Sequence, residues 1–243
     1  MQENNHSIRK GRTDAVPLSD EEMVSQVVVA TVENLWEAVN QLTRLKKSKK
    51  EEYMVTIFGS ARIMPETHDY DRVRKLARKL SEMDCGVITG GGPGLMQAAN
   101  EGVADVHGHG SHRSVGIRVD LPFEQNANPF VGKVYNHKTF FSRLHHFMII
   151  SDAFIVVPGG IGTLLELSMV WQLLQVRRLY GTPLILVGEM WEQLVDWARM
   201  AMVESEHELA SSLDLSIPTC VKSSQEAIDL IEAHRREWLE SDD

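Results

Sequence analysis

Cysteine is scarce in this chain: Cys85 and Cys220 are the two among 243 residues. Neither belongs to a Cys-x-x-Cys or Cys/His spacing, which excludes a zinc ribbon and a disulfide-stapled scaffold. A chain of this length needs no such staples, because folding buries roughly 70–75% of the surface the unfolded chain exposes. Long hydrophobic runs are lacking as well. The longest, over residues 147–157, is interrupted by Ser151 and Asp152 and falls short of the about 20 residues that span a bilayer. Residues 1–14 are polar and lack the apolar core of a signal peptide. The expectation is a cytoplasmic chain with no membrane partner. Positive charge is in deficit, with 25 Lys and Arg against 34 Asp and Glu and a net charge of −9. That speaks against nucleic acid as a partner, since a phosphate backbone calls for clustered cations. A small phosphorylated ligand needs only a local positive field.

Three familiar fingerprints are absent too. Read from Gly90 or from Gly160, a G-x-G-x-x-G dinucleotide loop fails at its last glycine, where Leu95 and Leu165 stand. There is no G-x-x-x-x-G-K-[ST] phosphate loop and no G-x-S-x-G nucleophile elbow.

What is present alternates. Residues 1–18 are expected to form a flexible tail. Residues 19–52 read as a helical extension and charged connector. Ser19 followed by acids marks a helix start, and Lys46-Lys47-Ser48-Lys49-Lys50 reads as a solvated connector rather than a binding patch. Residues 53–243 read as one domain. Short apolar runs at 54–58, 86–89, 114–119, 153–157, 183–187 and 217–221 read as strands. Helical periodicity is expected over 69–83, 95–106, 139–150, 159–178 and 191–203, with Ser223 capping a last helix. This alternation predicts an α/β fold, a Rossmann-like doubly wound parallel sheet with helices on both faces.

In such sheets ligands sit beyond the carboxyl ends of the strands. Three loops lie there. Gly59, Ser60 and Arg62 follow the first strand. Gly90, Gly91, Gly92 and Gly94 follow the second, with Met96 just beyond. Pro158, Gly159, Gly160, Gly162 and Thr163 follow the strand at 153–157. Glycine lets backbone approach a ligand closely, and the free N–H groups of a helix start make an anion site. One such loop is as easily a structural turn as a ligand site, and a Met on a helix, as Met96 is, is more often core. Three loops together point to phosphate, and these residues are the nucleotide-binding candidates.

The most specific segment is Pro158-Gly159-Gly160-Ile161-Gly162-Thr163-Leu164-Leu165-Glu166. It resembles the P-G-G-x-G-T-x-x-E motif of the Lonely Guy (LOG) family, nucleotide 5′-monophosphate phosphoribohydrolases often mislabelled lysine decarboxylases. VTIFGSAR over 55–62, TGGGPGLMQAA over 89–99, GIRVDLPFEQNAN over 116–128 and Phe141-Ser142-Arg143 agree in order and position. The resemblance spans about residues 53–197. One position departs: the plant-type Arg-Lys pair is Arg143-Leu144 here, which turns the expectation from plant-hormone nucleotides to ordinary ones, AMP first.

The resemblance implies that Glu166 and Arg143 are catalytic. Glu166 follows Thr163 by one helical turn on the same face. There a carboxylate would lie beside the ribose, stabilise the cationic sugar that forms as an N-glycosidic bond breaks, and orient or deprotonate water. Arg143 is a permanent cation that would hold Glu166 or stabilise the departing base. A helix-dipole acid and a surface ion pair are the structural alternatives. No cofactor is expected, and no metal either: His107, His109 and His112 share a loop with no carboxylate cluster to complete a site. His145 and His146 follow Arg143, one packing or capping, the other open to face a base. The helix at 161–178 is apolar nearly all round, so it should be buried on several sides; the resemblance implies that its outer side makes a homodimer or higher-oligomer interface, with core packing inside one copy as the alternative. Set against the hydrolase is a non-catalytic nucleotide or molybdenum-cofactor carrier of related fold. A pyridoxal-dependent decarboxylase is rejected, since it needs a Schiff-base lysine and the paired lysine is Leu144.

Overall fold

The computed structural model describes residues 21–42, 52–119 and 126–240. The chain divides into two units, Met1–Ser48 and Lys49–Asp243. The described part of the first is helix α1, Glu21–Leu42, whose first turn carries Glu21 and Glu22, where acids complement the helix dipole. The expected tail, the Ser19 helix start, the lysine run at 46–50 and the residues 120–125 of the LPFEQ stretch lie outside the described residues.

The second unit carries a seven-stranded parallel sheet, β1 Tyr53–Phe58, β2 Cys85–Thr89, β3 Ser114–Val119, β4 Lys133–His137, β5 Ala153–Val156, β6 Leu184–Val187 and β7 Pro218–Val221. The order is β4-β3-β2-β1-β5-β6-β7. The chain therefore winds outward from β1 to β4, returns to the centre at β5, and winds outward again on the other side. Val55 pairs with Val87 on one flank and Ala153 on the other. A parallel order requires crossovers. Helices supply all but the one from β3 to β4: α2 His68–Glu82, α3 Leu95–His107, α4 Phe140–Ile150, α5 Ile161–Gln175 and α6 Glu189–Ala198, with the short α7 Ser212–Leu215 before β7, and α8 Ser224–Glu240 follows the last strand.

Strand period two sorts the core into two layers. Val55, Ile57, Val87, Ile155 and Ile185 face α2, α3 and α8. Phe58, Ile88, Phe154, Val156, Leu184 and Leu186 face α4, α5 and α6. The α2 residues Val73, Leu76, Ala77 and Leu80, all buried, fall at i, i+3, i+4 and i+7, the stripe an amphipathic helix needs. Thr67 caps it by accepting a hydrogen bond from the Tyr70 N–H at 3.3 Å. The expected Rossmann-like, doubly wound α/β sheet covered on both faces is the fold observed.

Four boundaries differ. Helix α5 begins at Ile161, not Gly159, because Gly160 is the extended cap residue (φ −100°, ψ −157°). It ends at Gln175, and Arg177 takes a left-handed φ of 56°. Helix α6 starts at Glu189 and ends at Ala198, giving way to a π-helical turn over Arg199–Val203. The edge strand β4 carries no apolar run, and its residues are exposed or half-buried.

Candidate functional site

The turn of the winding between β1 and β5 leaves a crevice at the carboxyl ends of the strands. A cleft of about 410 Å³ occupies it, lined by Gly59, Ser60, Ala61, Arg62, Gly90, Met96, Arg118, Val119, Arg143, Gly160, Ile161, Gly162, Thr163 and Glu166. The size suits a small-molecule ligand. Of the fifteen residues expected at the site, ten line it: Gly59, Ser60, Arg62, Gly90, Met96, Gly160, Gly162, Thr163, Arg143 and Glu166.

The other five, Gly91, Gly92, Gly94, Pro158 and Gly159, build the walls instead. The Ser60 N–H donates to Pro158 O at 3.0 Å, and the Leu95 N–H donates to Ser60 O at 2.8 Å. The first loop is thus tied to both other loops through the backbone. Gly94 has φ 70°, and a Cβ there would run into the backbone of Ser60 and Ala61. Only glycine permits that approach and that φ together. Gly91, also at φ 70°, makes room for the stem of Arg118, whose Cγ would lie 3.0 Å from an added Cβ. Gly159 leaves space for the Thr163 side chain, which is buried.

A buried polar network holds the second loop. The Thr89 hydroxyl donates to Asn100 Oδ1 at 2.7 Å and accepts from the Gly91 N–H at 2.9 Å. Asn128 Nδ2 reaches Gly92 O at 2.9 Å and Asn100 Oδ1 at 3.0 Å, and the Asn128 N–H donates to Gly91 O at 2.9 Å. Buried polar groups satisfied in this way rigidify the backbone that carries them.

One largely buried ion pair lies in the cleft. Arg143 Nη2 lies 3.2 Å from Glu166 Oε1, with both side chains largely buried. Arg143 comes from α4, whose start Thr139 caps by accepting the Ser142 N–H at 3.1 Å. Its Nε donates to Ile117 O at 2.9 Å, and its guanidinium sits 5.3 Å over the Phe147 ring, a cation–π placement. The cation is therefore aimed from three sides. Glu166 is 8% exposed. Burial pushes its carboxyl up to about 7, against the opposing pull of Arg143. A carboxyl poised near neutrality can take up or release a proton at working pH.

Around it the lining carries Arg62, Arg118 and Arg143 against Glu166. Arg118, 8% exposed near the end of β3, is absent from the sequence expectation. Its signal was available: it is the one charge in the strand Ser114–Val119. The histidines following Arg143 do not line the cleft. His146 Nδ1 and His137 Nε2 share a hydrogen bond of 2.8 Å. Burial, then its neighbour His137, hold the His146 imidazole down to about 4. Burial likewise lowers His145. No group of three or more His, Cys, Asp and Glu is placed to hold a metal among the described residues.

The family model described as possible lysine decarboxylase matches residues 96–231. The chain belongs to this family, the LOG family. It is 28% identical over 141 residues to the pyrimidine/purine nucleotide 5′-monophosphate nucleosidase of Escherichia coli strain K12, and equally to that of Escherichia coli O6:H1. The match takes in 56% of this chain and 31% of the relative, so the chain spans about a third of the curated relatives it matches. Among solved structures it resembles a molybdenum cofactor binding protein from Rippkaea orientalis, with TM-score 0.55 and 18% identity over 76% of this chain and 98% of that one. It also resembles the molybdenum cofactor carrier protein of Chlamydomonas reinhardtii, with TM-score 0.57 and 14% identity over 76% and 99%. At these identities the two structures share the fold.

Proposed function

We propose that this LOG-family chain hydrolyses the N-glycosidic bond of a nucleoside 5′-monophosphate, releasing free base and ribose 5-phosphate in the cytoplasm. The observation that carries the proposal is the buried Arg143–Glu166 pair, 3.2 Å apart, inside a cleft walled by three backbone-linked loops.

The phosphate sits at the start of α5, where the N–H groups of Gly162 and Thr163 are free of helical partners and the dipole favours an anion. Ser60 and Arg62 approach it from the first loop. The ribose then lies beside Glu166, one helical turn further in. As the bond from C1′ to the base nitrogen lengthens, positive charge grows on the sugar, and the ionised Glu166 stabilises it. Water adds its hydroxyl to C1′, and its proton passes through the carboxyl of Glu166 to the base. Arg143 cannot give up a proton at neutral pH. It holds Glu166 in place and meets the electron density arriving on the departing base. A lysine-dependent decarboxylation finds no support, because no lysine lines the cleft among the described residues.

We further propose that the exposed apolar residues on α5, Ile161 and Leu165, meet a second copy in a homodimer. The test of function is direct. Purified protein is incubated with each common nucleoside monophosphate, AMP first, and ribose 5-phosphate and base are measured. Release of both, lost in Glu166→Gln, is expected. Near-normal turnover in Glu166→Gln would overturn the mechanism, and tight nucleotide binding with no turnover in the wild type would make the chain a carrier.

A further inference from the structure

Arg118 has no part in the chemistry proposed above, yet it is a nearly buried charge on the cleft wall. Its stem is set by the fold: Cγ and Cδ pass over Gly91, which has no Cβ to block them. The next residue back, Ile117, supplies the carbonyl that anchors Arg143. Arg118 therefore stands beside the Arg143 end of the catalytic pair. Across the sheet, β3 lies three strands from β5, roughly 14 Å at about 4.8 Å per strand. A nucleotide with its phosphate at α5 and its ribose at Glu166 extends its base toward β3.

The geometry points to Arg118 as the residue that selects the base, in favour of 6-oxopurines. A guanidinium offers five N–H donors in a rigid fork, enough to hold a protein partner and still present two to a ligand. Guanine and hypoxanthine show two adjacent acceptors, O6 and N7, which that fork matches. Adenine replaces O6 with an amino donor, so one arm of the fork would face a donor and lose its partner. A bidentate match of this kind discriminates between bases by roughly 5- to 150-fold. The inference rests on the nucleotide reading and shifts its preferred base from adenine to guanine or hypoxanthine.

The test compares kcat/KM for GMP, IMP and AMP in the wild type and in Arg118→Met, which keeps an unbranched stem over Gly91 without the fork. Equilibrium dialysis of GMP and AMP runs alongside. In the wild type, GMP and IMP are expected to exceed AMP by 5- to 150-fold. In Arg118→Met the ratio falls to within about twofold, and in Arg118→Lys, which keeps the charge but not the fork, it falls as well. A wild type that prefers AMP, or a ratio left intact in Arg118→Met, overturns the inference. Should no nucleotide be cleaved, the hydrolase reading fails by itself, and the GMP-to-AMP binding ratio decides the role of Arg118. If Arg118→Met does not fold, the wild-type ratio and Arg118→Lys decide it. If neither nucleotide binds, both readings fall.

Discussion

Glu166→Gln makes a demand on the fold as well as on the chemistry. The carboxyl of Glu166 is pushed up to about 7 from an ordinary 4.5, chiefly by burial. Between those two values the folded chain keeps a proton that the unfolded chain has released. Stability therefore falls as pH rises through this window, and above about 7 the loss is complete. At about 1.36 kcal/mol for each tenfold change in proton affinity, the ionised carboxylate destabilises the fold by roughly 3 kcal/mol at pH 8.5. Glutamine imitates the protonated acid in size and hydrogen bonding and carries no charge at any pH. The variant should thus be more stable than the wild type at pH 8.5 by about 3 kcal/mol, and by only a few tenths of a kcal/mol at pH 4.5. Urea unfolding at the two pH values measures this. With a slope of about 2–3 kcal/mol per molar for a domain of this size, the midpoint should rise by about 1 M at pH 8.5. A variant less stable than the wild type at pH 8.5 would mean that the ionised Glu166–Arg143 pair stabilises the fold, and the argument for a poised acid would fail. An equal difference at both pH values would show that charge is not the cause.

Other outcomes follow from the same geometry. Adenosine should be a far poorer substrate than AMP, by more than about a hundredfold in kcat/KM, since each charge-assisted phosphate contact is worth roughly 1.5–3 kcal/mol; similar rates for the two would remove the phosphate role of the α5 start. If the carboxylate is the working form, kcat/KM should rise with pH to a plateau above about 7, and Arg143→Ala, by removing the one group among the described residues that lowers the Glu166 carboxyl, should move that limb upward while slowing turnover. Gly94→Ala should cost at least about 1–3 kcal/mol from the φ of 70° alone, measured as a lower urea midpoint, and more from its approach to the Ser60 backbone. Light scattering at low micromolar concentration should give twice the chain mass of 27.4 kDa, and a fully active monomer would refute the dimer.

Much of this was legible in the sequence for identifiable reasons. Parallel strands buried on both faces are continuous apolar runs, so β1, β2, β3, β5 and β6 stood out. The edge strand β4, Lys-Val-Tyr-Asn-His, is buried on neither side in that way and left no such trace. Glycine positions showed where loops turn, but not what each missing Cβ makes room for. Gly91 and Gly94 answer to Arg118 and the Ser60–Ala61 backbone, neighbours that only the folded chain brings near, and Gly159 answers to Thr163 four residues on, once the helix start has formed. The Thr89–Asn100–Asn128 network spans elements far apart in sequence and had no local signature. Arg118 could have been found, since a lone charge inside an apolar strand has to face something polar.

The distinction between an enzyme and a carrier comes down to what the cleft holds at a cost. Backbone N–H groups, glycine turns and permanent arginines suffice to bind a phosphorylated ligand, and none of them needs to titrate near neutrality. Glu166 would add nothing to such binding, because a carboxylate repels the phosphate that the α5 start and Arg62 are proposed to attract. It is nevertheless buried beside Arg143, where burial disfavours its ionised form. A neutral side chain of similar size would bind the same ligand in a more stable protein. What a neutral residue would lose is the ability to meet positive charge on a sugar and to pass a proton to a leaving base. Strain of this kind at the centre of a cleft weighs toward chemistry, and the sign of the stability change in Glu166→Gln at pH 8.5 reads it without a substrate.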